Sequence, residues 1–172
     1  YFLKVFFFFF PYHFSGQNVG LSLLYAKRAG FEFKNWERRA LAYFTFSTFL
    51  ATTLHGETSG GGSSYFQVAL PSFHLPREFG SAGWYLLYAS AAVCIFAIGR
   101  RLFKGERFFP LITLVPPLAQ FTWFVVGWRV PSFYYFVPMF HSLQYLLVAW
   151  AMHLSERARE IKPTRGFAWR QS

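Results

Sequence analysis

At 172 residues, with 54% hydrophobic and 24% aromatic content, the chain carries more apolar side chain than one soluble core of its size can hide. A net charge of +10 raises nucleic acid as a partner, but the basic residues border apolar runs and no stacking or helix-turn-helix motif accompanies them, so nucleic-acid binding is excluded as the expected function. The lone Cys94 excludes an intramolecular disulfide and reads as a packing residue.

Fourteen of the seventeen Lys and Arg residues fall in three clumps, at 27–39, 100–107 and 157–170, separated by long apolar stretches. If all three lie on the cytoplasmic side, an even number of membrane crossings must separate them, and two apolar segments lie in each interval. The expected fold is therefore all-α: a polytopic bundle of five transmembrane helices in one domain, amino end outside and carboxyl end cytoplasmic, in a bacterial inner membrane.

In chain order, the first span covers about residues 2–25. Phe6 to Phe10 imitates a signal core, but no small-residue cleavage pattern follows, so it is read as part of that span. The second, 36–55, opens on Trp36, an aromatic suited to an interface. An outer loop, 56–81, holds a flexible Gly60–Ser64 linker and a stretch from Tyr65 to Leu75 expected along the membrane surface. The third span, 82–99, stops at Arg100-Arg101. The fourth, 108–128, contains Pro116-Pro117, and the fifth, 132–154, contains Pro138; these prolines are expected to disturb their helices. A basic cytoplasmic tail, 155–172, follows.

At about 1.5 Å of rise per residue, His13, Gln120 and His141 each stand roughly 20 Å above an inner charge clump, with His55 slightly higher. Polar groups at such depth should face the bundle interior and are candidate functional sites. His13 and Gln17 are four residues apart, as are His141 and Tyr145, so each pair shares a helix face. The expected cofactor-binding set is thus His13, Gln17, Gln120, His141 and Tyr145, with His13, His55 and His141 as metal ligands. An imidazole set suits iron or copper, or a haem held from both sides. The alternative for each residue is an interhelical hydrogen bond, and Gly16 with Gly20 forms a small-xxx-small pair of the kind that brings helices together. His74, in the outer loop, is expected either to descend as a lid or to stay solvated, and His153 is read as an interface residue.

No zinc-protease, nucleophile-elbow, paired-cysteine or dinucleotide motif is present. Tyr134-Tyr135-Phe136 leading to His141-Ser142, with Pro116-Pro117 upstream, resembles the span of Brp/Blh-type carotenoid-cleaving membrane oxygenases that carries an iron-binding His. The resemblance covers one helix and implies a helical, His-ligated non-haem iron site acting on a polyene. Only His141 carries over as a ligand. Where such enzymes have a second His shortly after the His-Ser pair this chain has Tyr145, and their Asp-bearing His motifs are absent.

Two functions follow. One is a small membrane protein with a His-built metal or haem site near the outer leaflet, serving electron transport or an apolar substrate. The other is a non-catalytic accessory subunit of a respiratory or photosynthetic complex, packing against partner helices, lipid or pigment. Both leave the bilayer as partner, with anionic lipids at the basic face.

Overall fold

A computed structural model describes residues 2–59, 63–65 and 68–161. Among the described residues, the regular elements are helices apart from one short hairpin. Helices α1 (Phe2–Arg28), α2 (Asn35–Thr58) and α3 (Arg77–Phe103) are followed by a broken fourth segment and by α5 (Pro131–Ile161). Strands β1 (Ser63–Tyr65) and β2 (Val68–Leu70) pair antiparallel between α2 and α3. Of the Gly60–Ser64 linker, Gly60, Gly61 and Gly62 lie outside the described residues, whereas Ser63 and Ser64 belong to β1 rather than to a flexible tether. α5 leaves one compact unit, Tyr1–Tyr135, and enters a second, Phe136–Ser172.

Helices α1, α2, α3 and α5 outrun their expected spans at one end or both. α3 starts at Arg77, because Pro76 supplies an extended N-cap and the next two residues, though charged, can stay in water while helical. α5 continues through Ile161, so the first part of the expected basic tail is helix; residues 162–172 lie outside the described residues. Among the described residues one helix, Arg77–Phe103, is long and apolar enough to cross a membrane.

The prolines correct two local expectations. Pro138 sits inside an unbroken α5. Pro116 and Pro117 begin a helix instead of bending one: they occupy the first turn of α4 (Val115–Phe121), where a missing N–H costs nothing. The fourth segment is accordingly a 3₁₀ turn (Leu111–Leu114), α4, a π turn (Thr122–Val126) and a second 3₁₀ turn (Gly127–Arg129).

The most extensive packing is α2 on α3. On α3 the buried or half-buried residues Gly80, Gly83, Leu87, Ser90, Cys94, Ala97 and Arg101 recur at alternating steps of three and four, the spacing that keeps one seam on a partner helix. α2 answers antiparallel with Thr58, Ala51, Ser47, Ala40 and Glu37. A Cβ on Gly83 would meet the Ala51 Cα at 3.0 Å, and one on Gly80 the Thr58 hydroxyl at 2.5 Å. Ser47 and Ser90 share a hydrogen bond of 2.8 Å, and the Cys94 thiol donates to the Ala40 carbonyl at 3.2 Å. Small residues thus let the two backbones approach. The expected Gly16–Gly20 contact is absent: a Cβ on either would meet nothing within 4 Å, because both lie on the outward face of α1.

Charge closes both ends of this seam. At one, the Arg101 guanidinium grips Glu37 with two bonds of 2.7 Å, and both side chains are nearly inaccessible. Arg101 also donates to the Arg107 carbonyl and lies 4.7 Å from the Phe31 ring centre. Arg107 in turn caps the Ala29 and Gly30 carbonyls, and Lys34 pairs with Glu106 at 2.9 Å. That ammonium holds the Glu106 carboxyl below its ordinary value. The pairing therefore supports the fold above the ordinary carboxylate range and fades as pH falls through the lowered one. At the other end, Lys4 is buried against Glu57 and the Pro71 carbonyl, with the Phe73 ring 4.3 Å away. Glu57 also receives the Phe73 N–H on its carboxylate and the Leu75 N–H on its carbonyl, so residues 71–75 are strapped over the helix ends.

Gly83→Ala should lower stability by about 1–3 kcal/mol, since backbone and not a flexible tip blocks the new methyl. Gly16→Ala should be neutral or stabilising by up to about 1 kcal/mol. Thermal unfolding in mild detergent, followed by helix content, compares the two. By the same readout Glu37→Leu should cost about 3–5 kcal/mol, because it strands a buried guanidinium, and adding Arg101→Leu should recover part of that loss.

Candidate functional site

The largest side chains fully withdrawn from the surface are mostly polar, led by Gln120 and Asn18 and followed by Thr45, Thr48 and Thr113. The sequence arranges this by period. Ser15, Asn18 and Ser22 on α1, and Thr45, Thr48 and Thr52 on α2, each step by three and then four, which lines them along one helix face. All six are buried. The hydroxyls first satisfy themselves on their own helices: Ser15 donates to the Pro11 carbonyl, Ser22 to Asn18, Thr45 to Leu41 and Thr48 to Thr45.

Gln120, near the end of α4, joins the two rows. Its Nε2 lies 2.7 Å from the Ser15 hydroxyl, 2.7 Å from the Thr45 carbonyl and 3.0 Å from the Thr48 hydroxyl. Its Oε1 accepts the Asn18 Nδ2 at 2.8 Å. The Thr45 carbonyl fixes this orientation, since it can only accept and must therefore face the amide nitrogen. Asn18 is then fixed in turn, with its Nδ2 toward Gln120. The π turn beginning at Thr122 follows immediately.

The expected site residues fall out differently. Gln120 is fully buried, as its depth predicted. His13 stands only two residues from Ser15, yet two residues turn a helix by about 200°, and the imidazole is exposed with its ring 6.4 Å from that of Phe14. Gln17, one turn along, is half-buried. His55 lies seven residues beyond Thr48, about 10 Å further along α2, with its ring 6.1 Å from that of Trp84 on α3. Gln120, His13 and His55 are therefore not brought together around one point. His141 and Tyr145 belong to the second unit, where their rings are 6.4 Å apart on α5. His74 and His153 are exposed, as expected of loop and interface residues.

Among the described residues, no three of His, Cys, Asp and Glu gather closely enough to hold a metal ion. A cavity of about 30 Å³ lies between α2, α3 and the fourth segment, lined by Phe33, Ala40, Leu41, Cys94, Ala97 and Phe109 among others. It has room for about one water and falls well short of the roughly 300 Å³ that small ligand sites begin at.

Sequence reasoning missed Ser15, Asn18, Thr45 and Thr48. Their three-and-four spacing was visible, but serine and threonine inside apolar spans drew less attention than histidine. No family model matches the chain, and neither the curated proteins nor the solved structures yield a match.

Gln120→Leu should cost about 1–3 kcal/mol, because it leaves the buried Asn18 amide nitrogen without its acceptor. His13→Ala, on an exposed face, should change stability by less than about 0.5 kcal/mol. Equilibrium unfolding of both variants in one detergent checks the contrast.

Proposed function

We propose that the chain is a polytopic membrane protein acting as a non-catalytic helical subunit, whose apolar exterior packs against lipid or partner helices. The inversion of inside and outside carries this reading. Fully buried positions are held by Gln, Asn, Thr and Ser, whereas Phe2, Phe9, Tyr85, Ile95, Phe96 and Phe103 are exposed. In water this arrangement buries groups that prefer solvent and exposes groups that avoid it. In lipid it is the favourable one, with polar side chains bonded between helices.

It also explains why mean hydropathy singles out α3 alone as a span. α2 lowers its own average with Thr45, Ser47, Thr48 and Thr52, which face inward and meet no lipid. Five crossings, with the charged ends at 27–39, 100–107 and beyond 155 on one side, are part of this proposal, and the run of successive helices supports it.

The accessory role rests on the same geometry. The polar centre spends its hydrogen bonds on joining three elements, and the exposed aromatic faces of α1 and α3 offer contact area to a neighbour. The expected product of gentle extraction is a protein that resists alkaline carbonate, sediments with membranes and elutes in mild detergent together with other membrane polypeptides. Release by carbonate would refute the membrane reading. Elution as an isolated species with stoichiometric iron or copper would refute the accessory role in favour of a centre built on His13, His55 or His141.

A further inference from the structure

The two ends of the first unit are unequal in charge. Segments 27–39 and 100–107, tied together by the Arg101, Arg107 and Lys34 contacts, hold nine basic and three acidic residues, a net of +6. At the other end Lys4, Arg77 and Arg129 stand against Glu57 and Glu78, a net of +1. The structure adds what a residue count cannot. Two of the three acids at the basic end are already spent: Glu37 is buried under Arg101, and Glu106 is held by Lys34. Lys27, Arg28, Arg38, Arg39 and Lys104 are all exposed, and among the described residues none has a carboxylate within ion-pair distance.

Helix stability does not account for this set. Lys27 and Arg28 close α1, where cations suit the helix dipole, but Arg38 and Arg39 lie in the opening turns of α2, where they oppose it. Their charge is turned outward, uncompensated, at a level marked by Trp36, whose ring is 5.7 Å from the Arg100 guanidinium.

We infer that this end is a docking surface for anionic phospholipid headgroups, with Lys27, Arg28, Arg38 and Arg39 as the phosphate-contacting residues. The inference rests on the membrane reading above and narrows it to a lipid class. Charge complementarity selects the partner: each basic residue near an anionic surface contributes about a fivefold preference, and guanidinium groups can chelate phosphate oxygens in pairs. A water-soluble polyanion has the same charge but none of the bilayer's fixed position beside Trp36.

The test reconstitutes the full chain into vesicles of equal phosphatidylglycerol and phosphatidylcholine, then measures by native mass spectrometry which lipid stays bound. Wild type should retain the anionic lipid in excess. K27Q/R28Q/R38Q/R39Q should lose about tenfold or more of that excess, and R77Q at the opposite end should lose none. Circular dichroism verifies that the quadruple variant folds; if it does not, K27Q/R28Q and R38Q/R39Q tested separately should each lose about threefold or more. No preference in wild type, or an undiminished preference in the variants, overturns the inference while leaving the membrane reading intact. Displacement of the lipid by millimolar inorganic phosphate or by a short nucleic-acid duplex also overturns it. Failure of wild type to float with the vesicles overturns both.

Discussion

One amide holds the first unit together. Gln120 is the only fourth-segment side chain hydrogen-bonded to both α1 and α2 among the described contacts: its Oε1 accepts from the Asn18 amide, and its two Nε2 protons are shared among the Thr45 carbonyl and the Ser15 and Thr48 hydroxyls. Because the Thr45 carbonyl dictates which way the amide points, a substitution cannot keep half of the arrangement. The irregular backbone around it fits this role: a 3₁₀ turn and two prolines lead the chain into α4, and a π turn leads it out, so that Gln120 sits on a short, individually aimed piece of helix.

The α2–α3 pair is built on a different principle. There the polar groups are small and the gain is proximity, with Gly80, Gly83, Ala51, Ser47 and Ser90 allowing backbone to approach backbone. Small side chains lose little freedom when ordered, so even modest dispersion and hydrogen-bond gains suffice. The Glu37–Arg101 pair then fixes the register, since sliding one helix past the other by a turn would strand both charges.

The helical pattern was legible because charge clumps and apolar lengths are one-dimensional quantities. The predominance of helix and the burial of Gln120 could both be read along the chain. The gathering of imidazoles could not. Position along a helix sets height, but each residue also turns by about 100°, so His13 and Ser15 share a level and face nearly opposite ways. The Ser15–Asn18–Ser22 and Thr45–Thr48–Thr52 rows mark the inward face of each helix, and His13 lies outside that face. The pairing of Lys4 with Glu57 was hidden for another reason: it depends on how two antiparallel helices register over more than fifty residues of chain.

That last pair has a consequence for biogenesis. Lys4 is synthesised before everything that neutralises or covers it, from Glu57 through Pro71 to Phe73. Until those residues arrive the ammonium lacks the partners it has in the folded protein, and its hydration opposes seating the helix at full depth. Helix α1 must therefore wait for its sealing charge, which Glu57 and the strap at 71–75 supply.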